Sequence, residues 1–268
     1  MLSILAGCGA AAHPASPLAG EVPSLDYDVL ARAGDAPSVR PDDERAVELQ
    51  KQLLTFRDGS AEQADLFLQV AQLEAARWRE EAEQERALDQ KIAGTQGDEK
   101  RTLIASQLAV HRRGEQAFLA AVQAYAAASK IPGYQRRDEA LFGLATVLHQ
   151  SKRDDRAREP LHSLLTQCPT SRRVPESYLF FGDYYFAKAD WKAAFKFYDR
   201  VLTFEGAPVE GYALYKQAWC WLRLGDVDRA AVLFDQSLAA TREGRAGNTG
   251  QAALLAEAAQ RDRDKLRR

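Results

Sequence analysis

The thiols and imidazoles come first, because they could act as nucleophiles, bases or metal ligands. The chain has three cysteines, Cys8, Cys168 and Cys220, and four histidines, His13, His111, His149 and His162. None of the histidines stands at a metal-ligand spacing from a second His or Cys, and no HExxH, CxxC or GxSxG pattern occurs. There is no GxGxxG and no phosphate loop. Aspartate and glutamate are plentiful, but nothing in their spacing pairs two of them across a pocket. The residues therefore offer no catalytic, cofactor-binding or metal-binding set, and the expectation is a non-enzyme without a cofactor. Cys168 is expected at a helix end and Cys220 within a helix, both as free thiols. His149 reads as an ordinary surface or groove residue.

Composition narrows the class further. The 268 residues are 46% hydrophobic and 28% charged, as in a folded globular chain long enough for one or two domains. Good helix formers, Ala, Leu, Arg, Glu and Gln, dominate. A formal charge of -2 and a pI near 6.1 give no global basic field to draw the chain to nucleic acid. No run approaches the roughly 20 apolar residues that span a bilayer.

What must position any functional side chain is a stretch that repeats itself, residues 136–240. Its first unit has Leu141, Leu144, Ala145 and Leu148, then Ala157, Leu161 and the helix-ending Pro169. The second has Tyr178, Phe181, Gly182 and Tyr185, then Ala194 and Tyr198. The third has Leu214, Gln217, Ala218 and Trp221, then Ala230 and Phe234. From Ala145 to Gly182 is 37 positions and from Gly182 to Ala218 is 36. Large residues at i, i+3 and i+7 make one buried stripe on a helix. The small residue within the stripe lets a second helix nest against the first, and the Ala of that second helix does the same from its side. Ala189-Asp190 and Gly225-Asp226 suit the turns, with Asp as N-cap. Gln217 replaces a large apolar residue and Arg153 stands where the other units have Asp, so the third unit is expected to pack less tightly.

This pattern resembles the tetratricopeptide repeat. The resemblance implies an all-α fold, a right-handed solenoid of antiparallel helix pairs, over about residues 41–240. Residues 41–135 read as worn repeats: a helix from Pro41, a break at Asp58-Gly59-Ser60 with Ser60 as cap, and a long helix with a charged run, Arg79 to Arg86, facing water. After a loop at 94–98, two helices are expected, 99–112 and 114–130. Residues 241–268 read as a loop followed by a polar helix that caps the open end of the stack.

Leu5-Ala6-Gly7-Cys8 resembles the lipobox of bacterial lipoproteins, which implies a signal remnant over residues 1–8 and a lipid on Cys8. No Lys or Arg precedes Cys8, and the expectation is that the true start lies upstream of Met1. Residues 9–40, with Pro14, Pro17, Pro23 and Pro37, read as a disordered Ala/Pro/Gly-rich tether. Gly9, in place of Asp, implies the periplasmic face of the outer membrane. The alternative is a cytoplasmic protein with a chance Leu-Ala-Gly-Cys.

The repeat resemblance also implies a partner-binding groove along the first helix of each unit. Carried over position by position, it comprises Phe142, Thr146 and His149 beside Glu139, then Leu179, Asp183 and Phe186 beside Glu176, then Tyr212, Tyr215, Trp219 and Leu222. An exposed wall of this kind marks a protein surface, and it lacks the Lys and Asn that clamp an acidic peptide tail. The function expected is an interaction scaffold in a bacterial outer-membrane or periplasmic machine, of assembly, secretion or gliding type. Its partners are other envelope proteins, and its only membrane link is the lipid. The alternative is a soluble cytoplasmic adaptor. Partner and oligomeric state are not legible.

Overall fold

The computed structural model describes residues 18, 20–21, 23, 43–55 and 59–267. The lipobox lies outside these residues, as does most of the expected tether. Ten helices and no strand occur among the described residues. They are α1 (Asp43–Thr55), α2 (Ala61–Ala93), α3 (Gly97–Lys130), α4 (Arg137–Gln150), α5 (Asp154–Gln167), α6 (Val174–Ala187), α7 (Trp191–Val201), α8 (Glu210–Leu224), α9 (Val227–Arg242) and α10 (Thr249–Lys265). The chain divides into two compact units, one of residues 28–177 and one of 1–27 with 178–268.

In the unit of residues 28–177, α2 and α3 form a hairpin whose helices are about 50 Å long at 1.5 Å per residue. Ser60 caps α2 as expected, its side chain accepting from the Gln63 amide at 3.2 Å. Ala64, Leu68, Ala71 and Ala75 recur along one buried stripe of α2, and Ala117, Ala121, Ala124 and Ala128 line α3. The two helices expected at 99–112 and 114–130 are one. Gly114 does not break the helix, although glycine costs about 1 kcal/mol there against Ala. It lies at a close crossing, where an added Cβ would touch the Glu81 Cβ at 3.4 Å. The charged run does not simply face water either. Arg113 grips Glu81 with two bonds, 2.8 and 2.9 Å, and His111 meets Glu85 at 3.1 Å across the hairpin.

The helix pairs α4–α5 and α8–α9 have the nesting that their small residues require. Ala145, Ala157, Ala218 and Ala230 are all fully buried. At Gly182 an added Cβ would sit 2.3 Å from the Tyr198 ring, so no side chain fits without moving that ring. Asp190 and Asp226 cap α7 and α9, each accepting from the amide three residues on at 3.0 Å. Arg153 makes no side-chain cap for α5. Lys152, Ala189 and Gly225 occupy the same place in the three turns, and all have positive φ (62°, 58° and 87°).

In the unit containing residues 178–268, α10 opens on a capping box between Asn248 and Gln251. It buries Leu255, Ala258, Ala259 and Asp262. Leu18 is also fully buried in this unit, and Glu21 pairs with Lys265 of α10 at 2.6 Å. These two residues of the expected tether are therefore seated on the fold.

Candidate functional site

The expected groove residues are not a surface. Leu179, Tyr215 and Trp219 have no exposed area, Tyr212 has 1% and Leu222 2%. Phe186 is 8% exposed, Phe142 4% and Thr146 5%. The reason is the size of the apolar faces: full burial of one such side chain stabilises by about 1.5–3 kcal/mol, and neighbouring elements supply the cover. Tyr215 is closed off by α10, its hydroxyl donating to the Asp262 carboxylate at 2.7 Å. Phe142 lies under the Arg173 guanidinium, 4.9 Å from its ring centroid. Thr146 donates back to the Phe142 carbonyl at 2.8 Å, and half-buried His149 pairs with Asp154.

Around Asp183 these residues form a polar cluster inside an aromatic cage. The carboxylate accepts from the Tyr198 hydroxyl at 2.7 Å and faces the Lys216 ammonium at 3.4 Å. Lys216, 5% exposed, stacks its charge on Phe186 at 3.9 Å. Burial, first, and then the Asp183 charge push the Tyr198 hydroxyl well above its ordinary value. Burial pushes the Cys220 thiol up to about 12. Cys168 and Cys220 are free thiols, as expected. A lysine on a first helix signals solvent, so nothing in the sequence pointed to Lys216.

The accessible concavities lie elsewhere: two run between second helices, and another, of about 730 Å³, is lined by Tyr185 of α6 and by Lys192, Lys196, Phe197 and Arg200 of α7. In the unit of residues 178–268, α7 and α9 wall a cleft of about 490 Å³. Phe195 and Leu202 line it from α7 and its C-cap, Val232 and Leu233 from α9, and Gln217 and Trp221 of α8 reach it from the first helix. Trp221 packs edge-on to Phe195, 5.3 Å between centroids, and carries the Arg229 guanidinium over its face at 4.4 Å. Val232 is 56% exposed. Asp199 and Asp228 complete the lining.

In the unit of residues 28–177, a cleft of about 410 Å³ has matching positions. Val122, Leu144, Leu148 and Pro160 stand where the other cleft has Phe195, Gln217, Trp221 and Leu233, each 73 positions, or two repeats, earlier. The charges differ. This cleft has Lys130, Arg137 and Arg156 against Glu159, while the other has Asp199 and Asp228 against Arg229. In the intervening repeat the equivalent of Pro160 is Phe197, which stacks on Tyr185 at 5.2 Å and on Phe181 at 5.3 Å.

Residues 139–171 and 212–239 match the tetratricopeptide repeat family. The chain carries tetratricopeptide repeats. The two matched stretches fall on the first and third repeat units, and the fold class is the one these repeats build, all-α with helices packed in consecutive pairs. Tetratricopeptide repeats are interaction modules, so the coarse function is protein–protein interaction. No curated protein and no solved structure matches the chain. Among the described residues no group of three or more His, Cys, Asp or Glu could hold a metal ion. No described helix is long and apolar enough to cross a membrane.

Proposed function

We propose that the chain is a tetratricopeptide scaffold of a bacterial envelope machine, tethered by lipid on Cys8 at the periplasmic face of the outer membrane. The observation that carries this reading is the combination of the repeats with Leu5-Ala6-Gly7-Cys8. The repeats supply surfaces for other envelope proteins, and the lipid supplies the address. Several acyl chains hold a protein to a bilayer far more firmly than one, because each buried CH2 contributes about 0.8 kcal/mol. The residues between Cys8 and Leu18, which is seated on the fold, would join the anchor to the folded part.

The test is metabolic labelling with a palmitate analogue in a Gram-negative host, with the gene expressed together with its natural upstream region. The wild-type protein takes up label and Cys8→Ala takes up none. An unlabelled wild type, or label retained by Cys8→Ala, overturns the anchor. The second reading is a cytoplasmic adaptor in which Leu5-Ala6-Gly7-Cys8 is a chance match. On that reading the protein fractionates with the cytosol and Cys8→Ala behaves as wild type.

A further inference from the structure

We infer that the cleft between α7 and α9 binds an extended protein segment that inserts a large apolar side chain and flanks it with Lys or Arg. The inference rests on the interaction-scaffold reading and names the surface and the kind of partner.

The lining of the cleft is mostly apolar. Trp221, Phe195, Leu202 and Leu233 are all partly open to solvent, and Val232 is more than half exposed. A partly open Trp within a concave apolar patch is the composition of an energetically dominant contact. In the intervening repeat Tyr185 and Phe197, the matches of Trp221 and Leu233, stack on each other and line a separate concavity whose cations are Lys192, Lys196 and Arg200.

The polar part comes from Gln217. Its residue is 1% exposed, yet it lines the cleft where the matching cleft has Leu144. Its Nε2 reaches only the Phe195 carbonyl, at 3.5 Å, the limit of a hydrogen bond, and its Oε1 accepts none among the described residues. A carboxamide on a cleft wall, held by so long a bond, can still offer a donor and an acceptor to a ligand. An extended segment has free backbone N–H and C=O groups to meet it, whereas the interior of a helix has already used its own.

The charge of the ligand follows from the rim. Asp199 and Asp228 are exposed, and neither has an ion-pair partner among the described residues. The one cation of the lining, Arg229, already binds Asp226 at 3.1 Å and covers Trp221. A basic residue on each side of the apolar anchor would meet these carboxylates. An acidic segment would be repelled.

Fluorescence anisotropy with a labelled peptide GKLFKG and its charge-reversed counterpart GELFEG tests this on the full chain. The basic peptide should bind at least tenfold more tightly than the acidic one, and more weakly as salt rises. Asp199→Asn with Asp228→Asn should remove most of that preference. Val232→Ser and Gln217→Leu should each weaken binding about tenfold with an unchanged melting temperature; both are expected to fold, since Val232 is exposed and the matching position of Gln217 is Leu144. The inference fails if GELFEG binds as well, if neither peptide binds, or if the variants bind as wild type. A chain that crosslinks to protein partners in cells yet fails this test keeps its scaffold role and loses only the cleft. One that crosslinks to no protein loses the scaffold reading itself.

Discussion

Glu176 holds a carboxylate away from water with little to compensate it. The residue is 8% exposed, its Oε2 has no hydrogen-bond partner, and Arg173 stands 4.0 Å from Oε1. Burial raises its pKa above the usual carboxylate range, against smaller opposing effects from the helix backbone and from Arg173 and Arg172. The folded state therefore holds this proton more tightly than the unfolded chain does. Its contribution to stability is present at low pH and is lost as pH rises through the folded pKa. Glu176→Gln removes the charge, so the variant should melt higher than wild type at pH 7, with the gap closing near pH 4, below the unfolded value of about 4.3. A gap of equal size at both pH values would show that the charge is not the cause. This feature was not legible beforehand, because a Glu in the first turn of a helix reads as a solvated partner of the macrodipole. Lys216 and Asp262 escaped for the same reason: their burial depends on residues far along the chain.

At the scale of the element, most of the architecture could be read. The 37- and 36-residue spacings put Ala145, Gly182 and Ala218 at buried crossings, and the Asp caps at 190 and 226 formed as expected. Local rules decide such features, and local rules are written in adjacent residues. They failed where tertiary packing overrode them. A break was expected between helices 99–112 and 114–130, but one helix runs through it, with Gly114 at a close crossing beside Glu81. The turns hold one further regularity. Ala189 has φ of 58° where Gly225 has 87°, and a left-handed conformation costs an L-residue roughly 1–2 kcal/mol. Ala189→Gly relieves this strain and adds some freedom to the unfolded chain, worth about 0.4–1 kcal/mol in the other direction. The variant should therefore unfold at a higher urea concentration, by a net of about 0.5–1 kcal/mol. A loss of stability would mean that the Ala189 methyl packs against something worth more than the strain.

At the scale of the whole molecule, the function class was legible and its surface was not. The repeat pattern names an interaction module, but the side chains assigned to the groove are packed inside the fold. Phe142, Tyr215 and Trp219 were expected to line an open groove, and all three are buried. The cover over Tyr215 comes from a helix whose polar composition reads as a free cap, and whose Asp262 accepts from the Tyr215 hydroxyl. The second-helix clefts were hidden differently, since each is made by residues from two repeats. Only Gln217, noted as a departure from the pattern, gave a sign of one, and it was read as loose packing.

The first-helix aromatics thus serve stability, and the second-helix cleft serves binding. Thermal unfolding of Trp219→Ala beside Val232→Ser separates the two most directly. Trp219 is fully buried, and truncating such a residue costs about 3–5 kcal/mol. Its melting temperature should fall by roughly 10 °C, while that of Val232→Ser stays at the wild-type value. A Trp219→Ala protein that melts with the wild type would place that ring at a surface and contradict the account.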